Sequence, residues 1–326
     1  MEIVAELIRR NYDVGEVGLP RWLESAHQRR HRKMVVETGK GKFLAKTYHR
    51  QPVVLDSLMF QHNLSDHLRK NDLPVAGIQR TRAGRGFAEA DTWLLELQEF
   101  VEGGSMRVTS KTLGVSGDAL GRLHKVCQYV PAPPRDTLMW RFSEVPRPTF
   151  QQMYAQACEE VGEATVAPFC DQLAKFSHEG ATALDAEKRD QFETGLIHGD
   201  WHGGNLMFRG DELVAIVDLE FSGSGCYLED IAYGISNLCI RTSTNEERLR
   251  MRTNILLDHY QRHRVLSYAE MVALYYAVGV KHITTVAYQI RMLKTIAGFN
   301  AAQWMERLAF QCQWLAEQSR KARWGE

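Results

Sequence analysis

The most constraining feature of this 326-residue chain is residues 196–221, where an apolar start leads into a polar loop and then into a second apolar run. The loop contains Asp200 and Asn205, and the second run, residues 213–217, ends at Asp218. A glycine-containing turn separates the two parts, as in a short hairpin. Such a scaffold would hold one amide and two carboxylates around a single cleft.

These side chains suit phosphoryl transfer from ATP. One carboxylate can orient a substrate hydroxyl and take its proton, while an amide oxygen and a second carboxylate hold the magnesium that neutralises the phosphates. The competing interpretation is a zinc site, because His198 and His202 are four residues apart. That site requires a helix, and three glycines in residues 198–204 favour a loop instead. The pattern therefore favours a kinase-type site.

The segment resembles the catalytic and metal loops of the aminoglycoside phosphotransferase and choline kinase superfamily. That pattern is His-Gly-Asp, a short spacer, Asn, and an Asp after an apolar strand. Here Asp200 precedes Asn205 by five positions and Asp218 by eighteen, and both steps fit. The resemblance implies ATP and Mg²⁺ as cofactors, Asp200 as the catalytic base, and Asn205 and Asp218 as magnesium ligands.

Further residues around the loop are expected to support it. The resemblance implies that His198 braces the loop and that Glu220 is an accessory carboxylate. His202 is expected to be a supporting residue as well. Asp230 matches the start of the helix after the metal loop, where an aspartate would cap the helix and steady the catalytic loop.

Composition excludes several classes of protein. Lys plus Arg equals Asp plus Glu at 40 each, so no overall field points to nucleic acid or to a membrane surface. Six cysteines occur without a Cys-x-x-Cys pair, which argues against a zinc ribbon or a disulfide framework and for a reducing compartment. Without a signal-peptide pattern or a run long enough to span a membrane, the chain is expected to be cytoplasmic.

The resemblance implies an α+β fold, the bilobal protein-kinase-like fold. A small N-terminal β-sheet lobe with one main helix is expected over residues 1–100. A hinge near 97–103 and a larger, mostly helical C-terminal lobe over 104–326 would follow. The elements expected in the first lobe are a helix near 2–11, a strand at 22–25, a hairpin of strands at 33–38 and 42–48, and a helix at 55–70.

Lys46 lies inside the second hairpin strand, where a lysine ordinarily faces solvent. In the kinase fold a lysine on this kind of strand contacts the α- and β-phosphates. Relatives pair it with a glutamate on the following helix, and counting back from Pro74 the matching position is Gln61. Gln61 is therefore expected to hydrogen-bond Lys46, unless Asp56 or Asp66 substitutes from a shifted register.

The strand starting at Trp93 runs into Gly103 and Gly104 and resembles the hinge of the family. The resemblance implies that backbone groups of Gln98, Glu99 and Phe100 bind adenine, whereas the sequence alone is compatible with an ordinary strand and turn.

The basic loop at 25–33 contains no glycine, so a glycine-rich phosphate loop is absent. It is either a solvated turn or a loop that brings Arg29 or Arg30 over the triphosphate. Beyond the hinge, a proline-rich stretch at 130–148 predicts a loop or flap. Helical spacing at 267–293 and 301–322 carries aromatic residues that favour core packing over a cation cage.

The acceptor is the least determined part of the prediction. Residues 219–326 contain 10 acidic and 13 basic side chains, without the acidic excess that a polycationic aminoglycoside would require. A small-molecule hydroxyl is expected, on an amino alcohol, a homoserine-like compound, a sugar, a nucleoside or an antibiotic. The alternatives are a Ser/Thr protein kinase of the same fold, a nucleotide-binding pseudokinase and a zinc hydrolase. The sequence predicts no oligomeric state.

Overall fold

The computed structural model describes residues 1–23, 32–134 and 143–325. The chain forms two compact units. The first comprises Met1–Ser105 and Leu206–Glu220, and the second comprises Met106–Asn205 and Phe221–Glu326. Residues 206–220 thus belong to the same unit as the N-terminal residues, whereas the expected C-terminal lobe of residues 104–326 included them. Arg29, Arg30 and the middle of the proline-rich stretch lie outside the described residues.

The elements follow one another with strands concentrated in the first unit and helices in the second. The strands are β1 (Arg21–Trp22), β2 (Arg32–Thr38), β3 (Gly41–His49), β4 (Phe87–Glu89), β5 (Trp93–Glu99), β6 (Gly104–Ser105), β7 (Thr194–Ile197), β8 (Leu206–Arg209), β9 (Glu212–Ile216) and β10 (Gly223–Cys226). The helices are α1 (Glu2–Asn11), α2 (Pro52–Lys70), α3 (Ser110–Val126), α4 (Arg147–Val161), α5 (Glu163–Ala183), α6 (Ala186–Arg189), α7 (Tyr227–Gly234), α8 (Glu246–Tyr260), α9 (Tyr268–Leu293) and α10 (Ala301–Trp324).

The main sheet of the first unit is antiparallel, with strand order β1-β2-β3-β5-β4. The predicted hairpin is confirmed as β2 and β3, and the predicted helices are confirmed as α1 and α2. Helix α2 starts three residues before the prediction, at Pro52, because proline fits the first turn of a helix. Strand β1 covers Trp22 of the predicted first strand, and the rest of that segment is only partly described.

Side chains alternate across β3 and so divide between two cores. Phe43 and Ala45 pack with α1 residues on one face of the sheet. Tyr48 packs on the other face with Leu58 of α2. Lys46 is two residues from Tyr48 and therefore points to the α2 face, where it is 8% exposed.

A second sheet of the first unit, in the order β6-β8-β9, contains the predicted turn at 209–211. Strand β9 ends just before Asp218, and the amide of Ile216 donates to the carbonyl of Pro74. In the second unit β7 pairs antiparallel with β10, so the loop that follows β7 starts from a fixed strand.

The second unit is mainly helical, and the mixed α+β fold is confirmed. The predicted helices near its C-terminus are confirmed as α9 and α10, and half of their aromatic side chains are core residues, as with Trp304 and Trp314. Helix α7 continues into a π-helical turn at Ile235–Ile240. No helix in the described ranges is long and apolar enough to cross a membrane.

Candidate active site

The loop between β7 and β8, residues 198–205, is anchored by one buried carboxylate. Asp230 of α7 accepts hydrogen bonds from the amides of His198 at 2.6 Å and Gly199 at 2.7 Å. Gly199 has φ of 80°, which a glycine adopts without strain. Asp230 thus makes the loop contact expected from the sequence, and it is 1% exposed.

Asp230 is in turn held by a histidine of α3 that sequence reasoning did not identify as part of the site. His124 of α3 lies 3.1 Å from Asp230 through Nε2 and 2.8 Å from the Tyr260 hydroxyl through Nδ1. Burial lowers the pKa of His124 despite the neighbouring carboxylate, so the ring is neutral at pH 7. With the proton on Nε2, His124 donates to Asp230 and accepts from Tyr260.

Asp200 lies inside the loop with two side-chain donors. Asn205 donates through Nδ2 to the Asp200 carboxylate at 2.9 Å and to its backbone carbonyl at 2.9 Å. His202 accepts the Gly204 amide at Nδ1, so its Nε2 carries the proton and donates to Asp200 at 3.3 Å. The three polar residues of the motif therefore orient one another.

The carboxylate of Asp200 is ionised at neutral pH. Burial raises its pKa, but the hydrogen bond from His202, with contributions from His198 and Asn205, outweighs burial and lowers the pKa below its usual value. An ionised carboxylate only accepts hydrogen bonds, so Asp200 is suited to receive the proton of a hydroxyl group.

The donor set also fits a hard cation. Because the Nδ2 of Asn205 faces Asp200, its Oδ1 faces the opposite way, and an amide oxygen is a ligand that magnesium accepts.

His198 accepts a hydrogen bond from the backbone amide of Asp200 through Nδ1, and His202 accepts one from the Gly204 amide through its own Nδ1. Both histidines are thus organised as supports of the loop.

In the first unit, Asp218 is surrounded by two lysines. Lys33 Nζ lies 2.9 and 3.1 Å from its carboxylate oxygens, and Lys46 Nζ lies 3.6 Å from Oδ1. Lys33 faces Lys46 directly across the β2–β3 pairing. Asp218 has φ of 58°, an uncommon conformation for an aspartate and one that concentrates at functional sites. Sequence reasoning did not identify Lys33.

Helix α2 contributes a different residue from the one expected. Gln61 donates to Ser57 on its own helix, and Asp66 pairs with Arg80. His62, the residue after Gln61, instead points into the unit, and its ring lies 2.5 Å from the Glu96 carboxylate. The proposed contact of Gln61 with Lys46 is therefore not formed, because the Gln61 amide is engaged on Ser57, although both residues line the same cavity.

Glu96 is the acidic neighbour of Lys46. The two residues are directly opposite in the β3–β5 register, so their side chains share the α2 face. Glu96 also accepts from the Tyr48 hydroxyl at 3.3 Å and from the Gln98 amide at 2.6 Å. Burial raises the pKa of Glu96, but the His62 hydrogen bond and the Lys46 charge lower it by more than burial raises it. Glu96 is therefore ionised although it is 1% exposed.

These groups line a cavity of the first unit. Lys46, Glu96 and Asp218 form its polar wall, and Val75, Ile78 and Ile216 form its apolar wall. The cavity thus combines the strand lysine and two carboxylates with an apolar wall.

Two amides of the predicted adenine-binding backbone, those of Glu99 and Phe100, are already hydrogen-bonded. The Glu99 amide donates to the Gly77 carbonyl at 2.8 Å, and the Phe100 amide donates to the Lys42 carbonyl at 3.1 Å. Both N–H groups are thus used within the unit, because chain segments lie along both edges of β5. The side chain of Gln98 is also engaged, on Glu96.

Glu220 lies in a 3₁₀ turn at Leu219–Phe221, directly after Asp218. Its charge contributes, after burial and Glu96, to a raised pKa of Tyr48. Glu220 therefore belongs to the electrostatic surroundings of Tyr48 in the first unit.

Comparison with known proteins agrees with this geometry. The model of the phosphotransferase enzyme family (APH) matches residues 24–266. A homoserine kinase of Nitrobacter winogradskyi is 26% identical over 272 residues, which cover 81% of this chain and 76% of that protein.

Solved structures show the same fold. An aminoglycoside phosphotransferase from Alicyclobacillus acidocaldarius has a TM-score of 0.71 at 14% identity, with 97% of this chain and 94% of that chain covered. A microcompartment-associated aminopropanol kinase has a TM-score of 0.66 at 19% identity, with 99% of both chains covered. Because the family model covers most of the chain, the chain belongs to the phosphotransferase enzyme family and is an ATP-dependent kinase of small molecules.

Proposed function

We propose that this kinase transfers the γ-phosphoryl group of ATP to the hydroxyl group of a small, amino-acid-like acceptor, with homoserine as the first candidate. The arrangement of Asp200 carries the proposal, since this ionised carboxylate is oriented by Asn205 and His202 within a loop that a buried aspartate anchors. The similarity to homoserine kinases and the lack of an acidic excess in residues 219–326 support the choice of acceptor.

In this proposal Asp200 receives the acceptor hydroxyl and takes its proton as the phosphoryl group is transferred. The amide oxygen of Asn205 and the carboxylate of Asp218 hold magnesium, whose charge neutralises the phosphates. Lys46 contacts the phosphate oxygens, and Lys33 beside it supplies a second positive charge. Glu96, opposite Lys46 in the β3–β5 pair, orients its ammonium group before the nucleotide binds.

The adenine base would occupy the apolar wall formed by Val75, Ile78 and Ile216. The amides of Glu99 and Phe100 already donate to carbonyl groups of the protein. Any hydrogen-bond donor to the base must therefore be a different group. Carbonyl oxygens near the end of β5 are thus the hinge groups that we assign to adenine.

A protein kinase of the same fold is disfavoured by the segment after Asp218. Only residues 219–226 separate it from α7, and residues 223–226 form β10, which pairs with β7. This leaves no loop long enough to dock an extended peptide. A pseudokinase is disfavoured because the two acids and the amide of the motif are intact.

The direct test is magnesium- and ATP-dependent release of ADP across a panel of acceptors. The panel contains homoserine, amino alcohols, sugars, nucleosides and aminoglycosides. We expect ADP release to depend on an acceptor hydroxyl and to be highest with amino-acid-like acceptors. ADP release at the same rate with and without each acceptor would contradict the proposal and indicate an ATPase. No ADP release would indicate a binding module.

A further inference from the structure

The helix after the metal loop presents one polar side to the catalytic loop. Tyr233, Asn237 and Arg241 follow one another at intervals of four residues, so they lie on one side of α7 and its π-helical continuation. The Tyr233 ring centre is 6.0 Å from that of His202, and Asn237 Oδ1 accepts the Gly203 amide at 3.3 Å. This side therefore borders the loop that holds Asp200.

Arg241, at the far end of that side, is a half-buried charge with no carboxylate beside it among the described residues. Among the described residues none brings a carboxylate within 4 Å of its guanidinium group, which donates to the neutral amide of Gln289 on α9. Burial lowers the pKa of Arg241, as expected for a charge that no acid compensates. A buried charge without a counter-ion is unfavourable, and such groups concentrate at functional sites.

One polar group on α9, the Thr285 hydroxyl, lacks a hydrogen-bond partner among the described residues. Thr285 is four residues before Gln289 and three after His282, which contacts Ser236 in the π-helical turn. Thr285 therefore shares the face of α9 that packs against this turn. Its hydroxyl makes no hydrogen bond within the described part of the chain, and the residue is 4% exposed.

We propose that Arg241, with Gln289 and Thr285, forms a carboxylate-binding subsite for the acceptor. The guanidinium group presents paired donors that match the two oxygens of a carboxylate, and the Thr285 hydroxyl adds another donor. This inference rests on the proposed function and narrows the acceptor to hydroxy acids and zwitterions such as homoserine. It also explains why a polycationic acceptor would be rejected, since Arg241 would repel it.

The turnover test compares homoserine with 3-aminopropanol, which is homoserine without its carboxylate. The variants are Arg241→Ala, Arg241→Gln, Arg241→Lys and the control Arg250→Ala, an exposed arginine on α8. Arg241→Ala should lower the ratio of kcat/KM for homoserine to that for 3-aminopropanol by about 10- to 100-fold, the range expected for a lost hydrogen bond to a charged group. Arg241→Lys should recover part of the ratio because it keeps the charge without the fork.

A binding measurement separates this inference from the proposed function. Calorimetry with 4-hydroxybutanoate, which keeps the carboxylate and lacks the ammonium group, should show binding to wild type and to Arg250→Ala that is weakened in Arg241→Ala. Thermal unfolding identifies a variant that does not fold, and Arg241→Gln then replaces Arg241→Ala.

Each outcome decides one of the two claims. Equal binding to wild type and to the Arg241 variants, or no binding of 4-hydroxybutanoate to wild type, would overturn the subsite. An unchanged acceptor ratio with active enzyme would also overturn it and leave the proposed function intact. Binding that depends on Arg241, with no phosphorylation of any acceptor, would support the subsite and contradict the proposed function.

Discussion

The catalytic loop of the second unit and the Lys46 cluster of the first unit are built in different ways. In the loop, the partners of Asp200 lie within five residues of it, and one remote carboxylate, Asp230, fixes the backbone. In the cluster, the partners of Lys46 come from β5 and from the residue after β9, with Lys33 of β2 beside it. Local partners can be recognised as a motif, whereas partners from separate elements depend on strand register and helix phase.

The largest effect is expected at the centre of the loop. Asp200→Asn should reduce kcat by about 100- to 10,000-fold, the usual cost of losing a general base. Its ATP affinity should change little, because Asp200 is assigned to the acceptor. Steady-state turnover and calorimetric ATP binding check both parts, and Asp258→Asn on the surface of α8 is the control. Near wild-type turnover would show that the loop is not the catalytic centre.

The next effect is expected at the anchor of the loop. Asp230→Ala removes the acceptor of two buried amides and of His124, so it should lower the free energy of unfolding by about 3–5 kcal/mol. Denaturant titration measures this change. Asp230→Asn keeps one acceptor oxygen and should cost less. Equal stability of Asp230→Ala and wild type would show that the loop is held by other contacts.

A double-mutant cycle between Lys46 and Glu96 tests the cluster. Glu96→Gln should lower ATP affinity because Lys46 loses its charged cross-strand neighbour, and Lys46→Ala should lower it more. The two effects should couple by about 0.5–3 kcal/mol, the range for interacting neighbours. Calorimetry measures the ATP affinity of the wild type, of the two single variants and of the double variant. Additive effects would mean that Glu96 does not position Lys46.

The smallest effect is expected at Gln61, which serves as the matched control on α2. Because its amide donates to Ser57, Gln61→Ala should change stability and ATP affinity by no more than about 0.5 kcal/mol. His62→Ala, one residue further, should cost clearly more because it leaves the buried Glu96 with one donor fewer. The reverse order of these two variants would restore Gln61 as the partner of the strand lysine.

The same comparison explains what the sequence could predict. The α+β fold, the β2–β3 hairpin, the long helices and the close association of Asp200 with Asn205 follow from local patterns and one motif. Glu96 stands in an apolar strand, and only the register with β3 places it opposite Lys46. A single sequence does not fix that register.

Helix phase decides that His62, and not the predicted Gln61, contacts Glu96. Successive residues of a helix point about 100° apart, so an error of one position exchanges an inward side chain for an outward one. The partners of the hinge amides could not be predicted for a related reason, because the carbonyl groups of Gly77 and Lys42 lie far from them in sequence. Both cases required tertiary contacts that no local pattern specifies.

The central claim is that this chain moves a phosphoryl group from ATP to a small hydroxyl acceptor. The most direct test incubates the protein with magnesium, γ-³²P-labelled ATP and homoserine, and then identifies the labelled product. The account predicts that the label appears in a phosphate ester of the acceptor and that this product is lost with Asp200→Asn. Label found only in inorganic phosphate, or on the protein itself, would contradict it.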